Sequence, residues 1–224
     1  MAVKIFLIRH GQTESNIQGR YQGSLDTILT ETGKEQAKLA KKYLSQVNFS
    51  SIYSSPMKRA LESANIFAEG TGIEIKIREG LKELNFGKWE GLQFEEINRI
   101  YRKDYQDWLS DPYKHPPTGG ESFGALILRA EADITKMLEE NEDGSNIAVI
   151  THGGVILALI VNWLKIPSQC WRSLIQRQGA INVVVIDGGF PYISSINYTG
   201  HLKPVYDSSE DRVIEIYSKI KQKA

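Results

Sequence analysis

The sequence predicts an α/β fold, a three-layer α/β/α sandwich with a mostly parallel central sheet. Short apolar runs alternate with longer segments of helical period, and the runs are apolar on both faces, as expected of parallel strands covered by helices on each side. Two of these runs end in the same dipeptide, His-Gly, which indicates equivalent strand ends in one sheet. We expect one domain over 1–224, because a chain of 224 residues fits one large domain more easily than two small ones.

The first part of the chain predicts three strands and two helices. A compact apolar run precedes Arg-His-Gly, and Ile-Glu-Ile-Lys-Ile has the two-residue period of a strand with one exposed face. Pro56 favours a helix start, because its missing N–H is not needed there. In chain order, the predicted elements are a strand at 4–8, a helix at 33–47, a strand at 51–55, a helix at 57–69 and a strand at 73–77.

Residues 78–121 interrupt this alternation and predict a lid or substrate-binding insertion. They contain one helical stretch, over 94–108, between a glycine-rich and a proline-rich loop. The alternation then resumes with a helix at 122–141, a strand at 147–150, a helix at 155–165 and strands at 181–186 and 192–197. The charged tail at 207–224 has apolar residues at helical spacing and predicts a C-terminal helix docked on the domain, with a dimer contact as the alternative.

Composition excludes several classes of protein. Hydrophobic residues make up 41% and charged residues 24%, which argues against a disordered chain, a coiled coil or a membrane bundle. Lys and Arg number 27, as do Asp and Glu, so the chain lacks the positive field of a non-specific nucleic-acid binder. The apolar runs at 5–8 and 155–164 are too short for a signal peptide and a membrane span. We expect a cytoplasmic protein, and its single cysteine fits a reducing compartment.

The two strand ends predict where the chemistry lies. His10 and His152 each follow an apolar strand and precede a glycine, and ligands of open parallel sheets bind beyond the carboxyl ends of the strands. A third strand leads to Lys58 and Arg59 in the first turn of the next helix, where the helix N-terminus already favours anions. A single histidine after a strand is more often structural than catalytic, but two in the same context favour catalysis. His115 and His201 are interpreted as loop residues.

Other chemistries lack support in the sequence. Metal-ligand spacings such as His-x-x-x-His and Cys-x-x-Cys are absent, as are the phosphate-binding and dinucleotide-binding glycine motifs and the Gly-x-Ser-x-Gly elbow. Cys170 lies beside Trp171 with no activating partner, so we interpret it as a packing residue. Histidine with arginine remains, a pairing suited to nucleophilic attack on phosphorus. The sequence therefore predicts no metal and no cofactor.

Four stretches together resemble one family. They are Leu-Ile-Arg-His-Gly-Gln-Thr at 7–13, Ser-Ser-Pro-Met-Lys-Arg-Ala at 54–60, Leu-Asn-Phe-Gly-Lys-Trp-Glu-Gly at 84–91 and Thr-His-Gly-Gly at 151–154. Over about residues 3–200 the chain resembles the phosphoglycerate mutase-like branch of the histidine phosphatase superfamily. The resemblance implies the mutase-like form of the sandwich fold, with a lid insertion.

The resemblance also implies roles for particular residues. His10 is expected to be the nucleophile that takes the phosphoryl group on nitrogen, and Glu83 the proton donor to the leaving oxygen. An exposed glutamate in a charged loop is the alternative interpretation of Glu83. Arg9, Arg59 and His152 are expected to share in catalysis and to form the phosphate pocket. The other residues expected to bind the substrate are Asn16, Gln22, Glu83 and Gly153. In-line transfer then needs no metal, because fixed cations take its place.

Hydrolysis is favoured over mutase activity. Mutases of this family carry Glu-Arg-His-Tyr-Gly where this chain has Glu-Leu-Asn-Phe-Gly at 83–87, and the chain is shorter than typical mutases. The Phe-Gly-x-Trp-Glu run and Pro-Thr-Gly-Gly-Glu-Ser-Phe at 117–123 are most similar to α-ribazole-5′-phosphate phosphatases, which act in cobalamin biosynthesis. A pocket edged by Phe86, Trp89 and Tyr113 would suit a bulky aromatic leaving group.

Several alternatives stay open at this point. A phosphoserine or broad-specificity phosphatase shares Gly-Arg-Tyr-Gln-Gly at 19–23, and a phosphoglycerate mutase is less favoured. A non-catalytic phosphate-binding module is the alternative from another class of protein. The expected partner is a small phosphorylated metabolite, with no nucleic acid and no membrane, and the protein is expected to be a monomer or homodimer.

Overall fold

One six-stranded sheet forms the centre of the structure, a computed structural model that describes residues 2–205. Its strands are β1 (Ala2–Arg9), β2 (Ser51–Ser54), β3 (Ile75–Ile77), β4 (Asn146–Thr151), β5 (Ile181–Asp187) and β6 (Phe190–Tyr198). Their order across the sheet is β3-β2-β4-β1-β5-β6. The first four in this order run parallel, and β5 and β6 continue the sheet in antiparallel pairing. The predicted mostly parallel sheet is confirmed.

Helices cover both faces of the sheet. They are α1 (Glu14–Ile17), α2 (Glu31–Tyr43), α3 (Lys58–Ala68), α4 (Phe94–Ile100), α5 (Arg102–Ser110), α6 (Phe123–Glu139) and α7 (Gly153–Trp163). Short 3-10 segments lie at Glu79–Leu81, Gly87–Trp89, Ser168–Ser173 and Gly200–Val205. Helices α2 and α3 pack on one face, and α6 and α7 pack on the other. The three-layer α/β/α arrangement is therefore confirmed.

Strand β1 shows why its run of apolar residues is continuous. Side chains alternate across a strand, so Phe6 and Ile8 enter the apolar cluster under α2 and α3, whereas Ile5 and Leu7 enter the cluster under α6 and α7. Each of the four is at most 6% exposed. Residues 5–8 of β1 are buried on both faces of the sheet, and all four are therefore apolar. The polar residues Arg9 and His10 follow where this buried run ends.

Several elements differ from the sequence-based prediction. The helix predicted at 33–47 ends at Tyr43, and Val47 closes a turn by donating its N–H to the Leu44 carbonyl. The insertion at 78–121 contains two helices instead of one, because Tyr101 adopts φ −121° and ψ 37° between α4 and α5. Helix α7 begins two residues before the predicted start, which makes His152 its N-cap. The helix predicted at 207–224 lies outside the described residues.

Aromatic rings anchor the insertion to the α6 and α7 side of the sheet. Trp89, Tyr105 and Trp108 are each at most 3% exposed, and their ring centroids lie 5.4 to 5.8 Å apart. Trp108 also meets the ring of Trp171 at 4.9 Å. Cys170 is exposed, so its interpretation as a packing residue is wrong, because the neighbouring Trp171 fills the core instead.

No helix in the described part of the chain is long and apolar enough to cross a membrane.

Candidate active site

The ends of three parallel strands bring the predicted residues together. Arg9 on β1 pairs with Thr151 on β4, and Ser54 on β2 pairs with Ile150 on β4, so the three strands end at one edge of the sheet. The His10 N–H donates to the carbonyl of Thr151 at 2.9 Å. The rings of His10 and His152 lie 5.1 Å apart between centroids, at 61° to each other.

His10 is 1% exposed, and its tautomer follows from its hydrogen bond. Nδ1 lies 2.7 Å from the carbonyl oxygen of Gly11, and a carbonyl only accepts, so Nδ1 carries the proton. Nε2 then has a free lone pair. Burial lowers the pKa of His10 well below its usual value, and the positive charges of Arg59 and Arg9 lower this pKa further. The imidazole is therefore neutral near pH 7.

Gly11 fixes the loop that carries His10. A Cβ at this position would lie 2.2 Å from the carbonyl oxygen of Gly33 in α2, a distance that no side chain tolerates. The Gly11 N–H donates to the hydroxyl of Ser63 at 3.1 Å, and this hydroxyl donates to the Arg59 carbonyl at 2.8 Å. Only glycine allows this close approach, which joins the His10 loop to α2 and α3.

Two arginines supply positive charge beside His10. Arg59 is fully buried in the first turn of α3, where Nη1 donates to the Leu25 carbonyl at 2.7 Å and Nη2 to the Gly23 carbonyl at 2.8 Å. These acceptors orient the guanidinium without neutralising its charge. Arg9 Nη1 donates to the Gln176 carbonyl at 2.5 Å. The predicted neighbour Lys58 instead lies 3.3 Å from Asp26 and does not line the cleft.

His152 is also buried and held by a hydroxyl group. Its Nε2 lies 2.7 Å from the hydroxyl of Ser55, which accepts from the N–H of Met57. Its Nδ1 has no hydrogen-bond partner among the described residues. Burial lowers the pKa of His152 well below its usual value, with Arg59 as the next cause, so this ring is neutral too. A buried polar atom without a partner costs free energy unless a ligand satisfies it.

The two predicted supporting amides face the same cleft. The Asn16 side-chain oxygen accepts from the backbone N–H of Thr13 at 3.0 Å, within the capping box of α1. The Gln22 side-chain oxygen accepts from the hydroxyls of Thr13 at 3.0 Å and Thr27 at 2.6 Å. Neither side-chain NH₂ group donates to another described residue, so both amides present donors to a ligand. Gly153, the third predicted supporting residue, lies against the Arg9 guanidinium, 3.2 Å from Cζ to the position of a Cβ.

Glu83 reaches the cleft from the start of the insertion. Its Oε1 accepts from the Leu84 N–H at 2.9 Å, and its Oε2 accepts from the Gly154 N–H at 3.2 Å. A Cβ on Gly154 would lie 2.3 Å from Oε1, so this glycine makes room for the carboxylate. Glu83 is therefore placed at the N-terminus of α7, beside His152. Its alternative interpretation as an exposed glutamate in a charged loop does not fit this position.

The cleft has a volume of about 270 Å³, which suits a small metabolite better than a polymer. Arg9, His10 and Arg59 line the cleft, and the buried ring of His152 lies behind them, 5.1 Å from the ring of His10 between centroids. We call these four residues the floor of the site. We call the aromatic residues Tyr21, Phe86 and Phe94, which also line the cleft, the rim. The other lining residues are Ser15, Asn16, Gly19, Arg20, Gln22, Gly23, Glu83 and Gln178.

The predicted aromatic edge is correct only for Phe86. Trp89 is fully buried, and Tyr113 packs against Phe123 at 5.8 Å between ring centroids; neither lines the cleft. Tyr21 and Phe94 take their place, with Tyr21 4.9 Å from the ring of Phe86. The sequence holds no signal for this exchange, because spacing along a chain does not show which face of a loop meets the cleft.

Other histidines and acids add nothing to the site. His115 is exposed, and His201 lies in the 3-10 segment Gly200–Val205 with its ring stacked 5.5 Å from Tyr43. Over residues 2–205, no group of three His, Cys, Asp or Glu side chains is placed to hold a metal ion. Sequence reasoning missed Ser55 and Ser63, although Ser55 stands directly before Pro56 at a strand end and could have been found there.

Comparison with known proteins shows the family. A family model described as the histidine phosphatase superfamily (branch 1) matches residues 5–199. Phosphoserine phosphatase 1 of Hydrogenobacter thermophilus is 31% identical over 204 residues, which cover 91% of this chain and 96% of that protein. Adenosylcobalamin/alpha-ribazole phosphatase of Salmonella typhimurium is 31% identical over 202 residues, which cover 90% of this chain and 100% of that protein.

A solved structure supports the same conclusion. The phosphoserine phosphatase of Entamoeba histolytica, in complex with 3-phosphoglyceric acid, has a TM-score of 0.80 and 33% sequence identity to this chain. The match covers 89% of this chain and 99% of that one. These relatives are named phosphatases, which is the enzyme class that the sequence predicts. The chain belongs to the histidine phosphatase superfamily, branch 1.

Proposed function

We propose that this protein is a metal-independent phosphomonoesterase that acts on a small phosphorylated metabolite through a phosphohistidine at His10. One observation carries the proposal. The His10 Nδ1–H is held by the Gly11 carbonyl, which leaves an unprotonated Nε2 in a buried cleft beside two cationic side chains. A neutral imidazole with a fixed tautomer is a competent nucleophile, and the cations stabilise the charge of the transferring group.

The reaction takes place in two steps. In the first, the Nε2 lone pair of His10 attacks phosphorus, an N–P bond forms, and the P–O ester bond breaks while Glu83 gives its proton to the leaving oxygen. In the second, a water molecule attacks the phosphohistidine and loses a proton to Glu83. The N–P bond then breaks, inorganic phosphate leaves, and His10 and Glu83 return to their starting states.

The floor and the two amides bind the phosphoryl oxygens. Arg59 and Arg9 supply charge-assisted hydrogen bonds, and Asn16 and Gln22 supply neutral ones. His152 contributes through its unpartnered Nδ1, and Gly153 lets the start of α7 lie against Arg9. Each charge-assisted contact that strengthens in the transition state lowers the barrier by roughly 3–4 kcal/mol.

We propose α-ribazole 5′-phosphate as the substrate. The rim supports this choice, because three aromatic rings in the lining of the cleft suit an aromatic leaving group. A named relative at 31% identity is an adenosylcobalamin/alpha-ribazole phosphatase. Phosphoserine is the second candidate, since a phosphoserine phosphatase is a relative at the same identity. Arg20 lines the cleft and is the cation that would bind the carboxylate of phosphoserine. It already lies 3.6 Å from the carboxylate of Glu96, which weakens its attraction for the substrate carboxylate.

The activity is tested with a chromogenic aryl phosphate in excess EDTA. We expect wild-type turnover that survives chelation and is lost in His10→Ala. Alkaline quenching during turnover is expected to trap a base-stable, acid-labile phosphoenzyme in the wild type alone. Inactivity of a folded wild type would reject the enzyme in favour of a phosphate-binding module, and loss of activity in EDTA would reject metal independence.

The substrate is tested by comparing kcat/KM for α-ribazole 5′-phosphate, phosphoserine and 3-phosphoglycerate under one set of conditions. We expect α-ribazole 5′-phosphate to give the highest value. A clear preference for phosphoserine would reject the proposed substrate but leave the proposed reaction in place.

A further inference from the structure

The backbone that carries Glu83 is held at every carbonyl. Arg129 of α6 donates through Nη1 to the carbonyls of Gly80 and Lys82, both at 2.7 Å, and through Nη2 to the carbonyl of Glu83 at 3.0 Å. The hydroxyl of Thr151 donates to the remaining carbonyl, that of Leu81, at 2.8 Å. Four consecutive carbonyls, from Gly80 in the 3-10 segment Glu79–Leu81 to Glu83, therefore accept from two side chains.

Arg129 is in turn oriented by a carboxylate. Its Nε donates to Glu121 Oε1 at 2.7 Å and its Nη2 to Glu121 Oε2 at 2.8 Å, a bidentate pair. With the three carbonyl contacts, all five N–H groups of the guanidinium have acceptors. The two side chains are only 26% and 18% exposed, so solvent competes weakly for these bonds. A lysine has three donors and no planar fork, and could not make this set of contacts.

A second group on α6 holds the start of the same segment. Asp133, one turn after Arg129, accepts from the N–H of Gly80 at 2.7 Å. Glu121 also belongs to the end of the insertion, where its N–H donates to the Asn85 carbonyl at 2.8 Å. The segment with Glu83 is thus held between α6 and the insertion, and Arg129 makes most of these contacts although it does not line the cleft.

We propose that Arg129, oriented by Glu121, is the positioning residue for the general acid Glu83. The inference rests on the proposed function of Glu83 as proton donor. Proton transfer to a leaving oxygen requires the acid at hydrogen-bond distance from it, and Glu83 reaches the cleft through a short side chain from a non-helical segment. Fixing three carbonyls of that segment keeps the carboxylate facing the leaving group.

The test uses the dependence of the rate on the leaving group. An aryl phosphate with an acidic phenol needs little protonation of its leaving oxygen, whereas an alkyl phosphate such as glycerol 2-phosphate needs an acid. Glu83→Gln is expected to lower kcat/KM for the alkyl ester by about 10²- to 10⁴-fold, and to spare the aryl ester largely. Arg129→Met is expected to show the same selectivity, with a loss on the order of 10²-fold for the alkyl ester.

Controls separate positioning from general damage to the fold. Arg129→Lys keeps the charge but not the fork, and is expected to reproduce the selective loss. Glu121→Gln is expected to do so more weakly. Arg78→Met is the matched control. The side chain of Arg78 forms an ion pair with Glu140 and donates to none of the four carbonyls at 80–83. Arg78→Met is expected to keep the wild-type ratio of kcat/KM for the aryl ester to kcat/KM for the alkyl ester.

The double variant Glu83→Gln with Arg129→Met gives a second readout. If Arg129 acts through Glu83, the double variant should be no slower on the alkyl ester than Glu83→Gln alone. Equal losses on both esters in Arg129→Met and Arg129→Lys, or additive losses in the double variant, would overturn the inference and leave the function of Glu83 intact. An unselective Glu83→Gln would instead overturn the proposed function of Glu83. If Arg129→Met does not fold, the ratio of kcat/KM for the aryl and alkyl esters in Arg129→Lys and Glu121→Gln tests the inference in its place.

Discussion

The floor and the rim of the cleft are built in different ways. The floor residues follow the ends of adjacent parallel strands or open the next helix, and hydrogen bonds to backbone carbonyls or a hydroxyl fix their polar atoms. The rim residues come from loops and from the insertion, and their rings are held mainly by other rings, such as Tyr21 against Phe86 at 4.9 Å. The floor is therefore positioned by hydrogen bonds of defined direction. The rim is positioned mainly by packing of aromatic rings, beside a hydrogen bond between the hydroxyls of Tyr21 and Tyr105 at 2.9 Å.

This difference separates two tasks. Directional contacts suit the phosphoryl group, whose charge and geometry are the same in every substrate. Apolar packing tolerates a change of side chain at lower cost, so it suits the part of the site that meets the variable leaving group. We expect floor substitutions to affect all phosphate esters equally and rim substitutions to affect some esters only.

Among the substitutions that compare the floor with the rim, Arg59→Met on the floor is expected to have the largest effect. The fully buried guanidinium would face the phosphoryl oxygens, so its loss should lower kcat/KM by about 10²- to 10³-fold for aryl and alkyl phosphates alike. Steady-state kinetics with one ester of each kind measures this effect. Lys58→Met is the matched control, because the neighbouring Lys58 pairs with Asp26 outside the cleft and its variant should keep wild-type kinetics. A loss confined to one ester would remove the distinction between floor and rim.

The floor could be predicted from sequence because its geometry follows from local rules. An apolar run followed by Arg-His-Gly implies a buried strand with polar residues at its end, and parallel strands place such ends at one edge. His10, His152 and Arg59 were predicted on this basis, and the structure places them together. The bidentate pair between Arg129 and Glu121 lies at a separation of eight residues, which is neither the three nor the four of a helix face, so no sequence spacing indicates it.

The rim was predicted poorly for a physical reason. Its residues are aromatic, and so are those of the buried cluster behind it, where Trp89 and Trp108 are at most 3% exposed. Composition alone therefore could not separate a ring that lines the cleft from one that fills the core. The break between α4 and α5 at Tyr101 was missed because the apolar spacing continues through it. Only the three-dimensional path of the insertion decides which rings meet the ligand.

Gly154→Ala, next to Glu83, is expected to have the second-largest effect. The new Cβ would lie 2.3 Å from Glu83 Oε1 and would force the carboxylate away from its position. Displacement of the acid should lower kcat/KM for an alkyl phosphate on the order of 10²-fold, with a smaller loss for an aryl phosphate. Gly124→Ala in the first turn of α6 is the matched control, since its nearest contact is 3.8 Å away. Equal losses on both esters in Gly154→Ala would contradict the proposed position of the acid.

A smaller effect is expected from Phe86→Leu on the rim. The variant keeps an apolar side chain but removes a ring from the cleft, so kcat/KM for α-ribazole 5′-phosphate should fall about tenfold. Turnover of phosphoserine should change little, because its leaving group carries no ring. Tyr113→Leu provides the comparison, as Tyr113 packs on Phe123 and does not line the cleft. Equal losses on both substrates in Phe86→Leu would show that the rim supports the chemistry rather than selecting the leaving group.

The smallest effect is on stability, and it tests the burial of His10 in the floor. The pKa of His10 is lowered in the folded state, chiefly by burial, so the unfolded chain binds more protons as the pH falls below about 6.5. The free energy of unfolding should therefore decrease on acidification, by up to about 1.4 kcal/mol per pH unit for each such histidine. Urea denaturation at about pH 7.5 and about pH 5.5 should show a smaller decrease in His10→Gln than in the wild type.

His152 and His201 also have lowered pKa values and are present in both proteins. His10 is one cause of the lowered pKa of His152, so the difference between the two slopes reports His10 together with its effect on His152. Phe86→Leu on the rim removes no titratable group and should keep the wild-type slope. A His10→Gln slope equal to that of the wild type would mean that His10 is protonated as readily in the folded protein as in the unfolded chain. The floor would then hold an imidazolium at acidic pH at no cost in free energy, and burial beside two arginines would not keep the imidazole of His10 neutral, as the proposed attack by Nε2 requires.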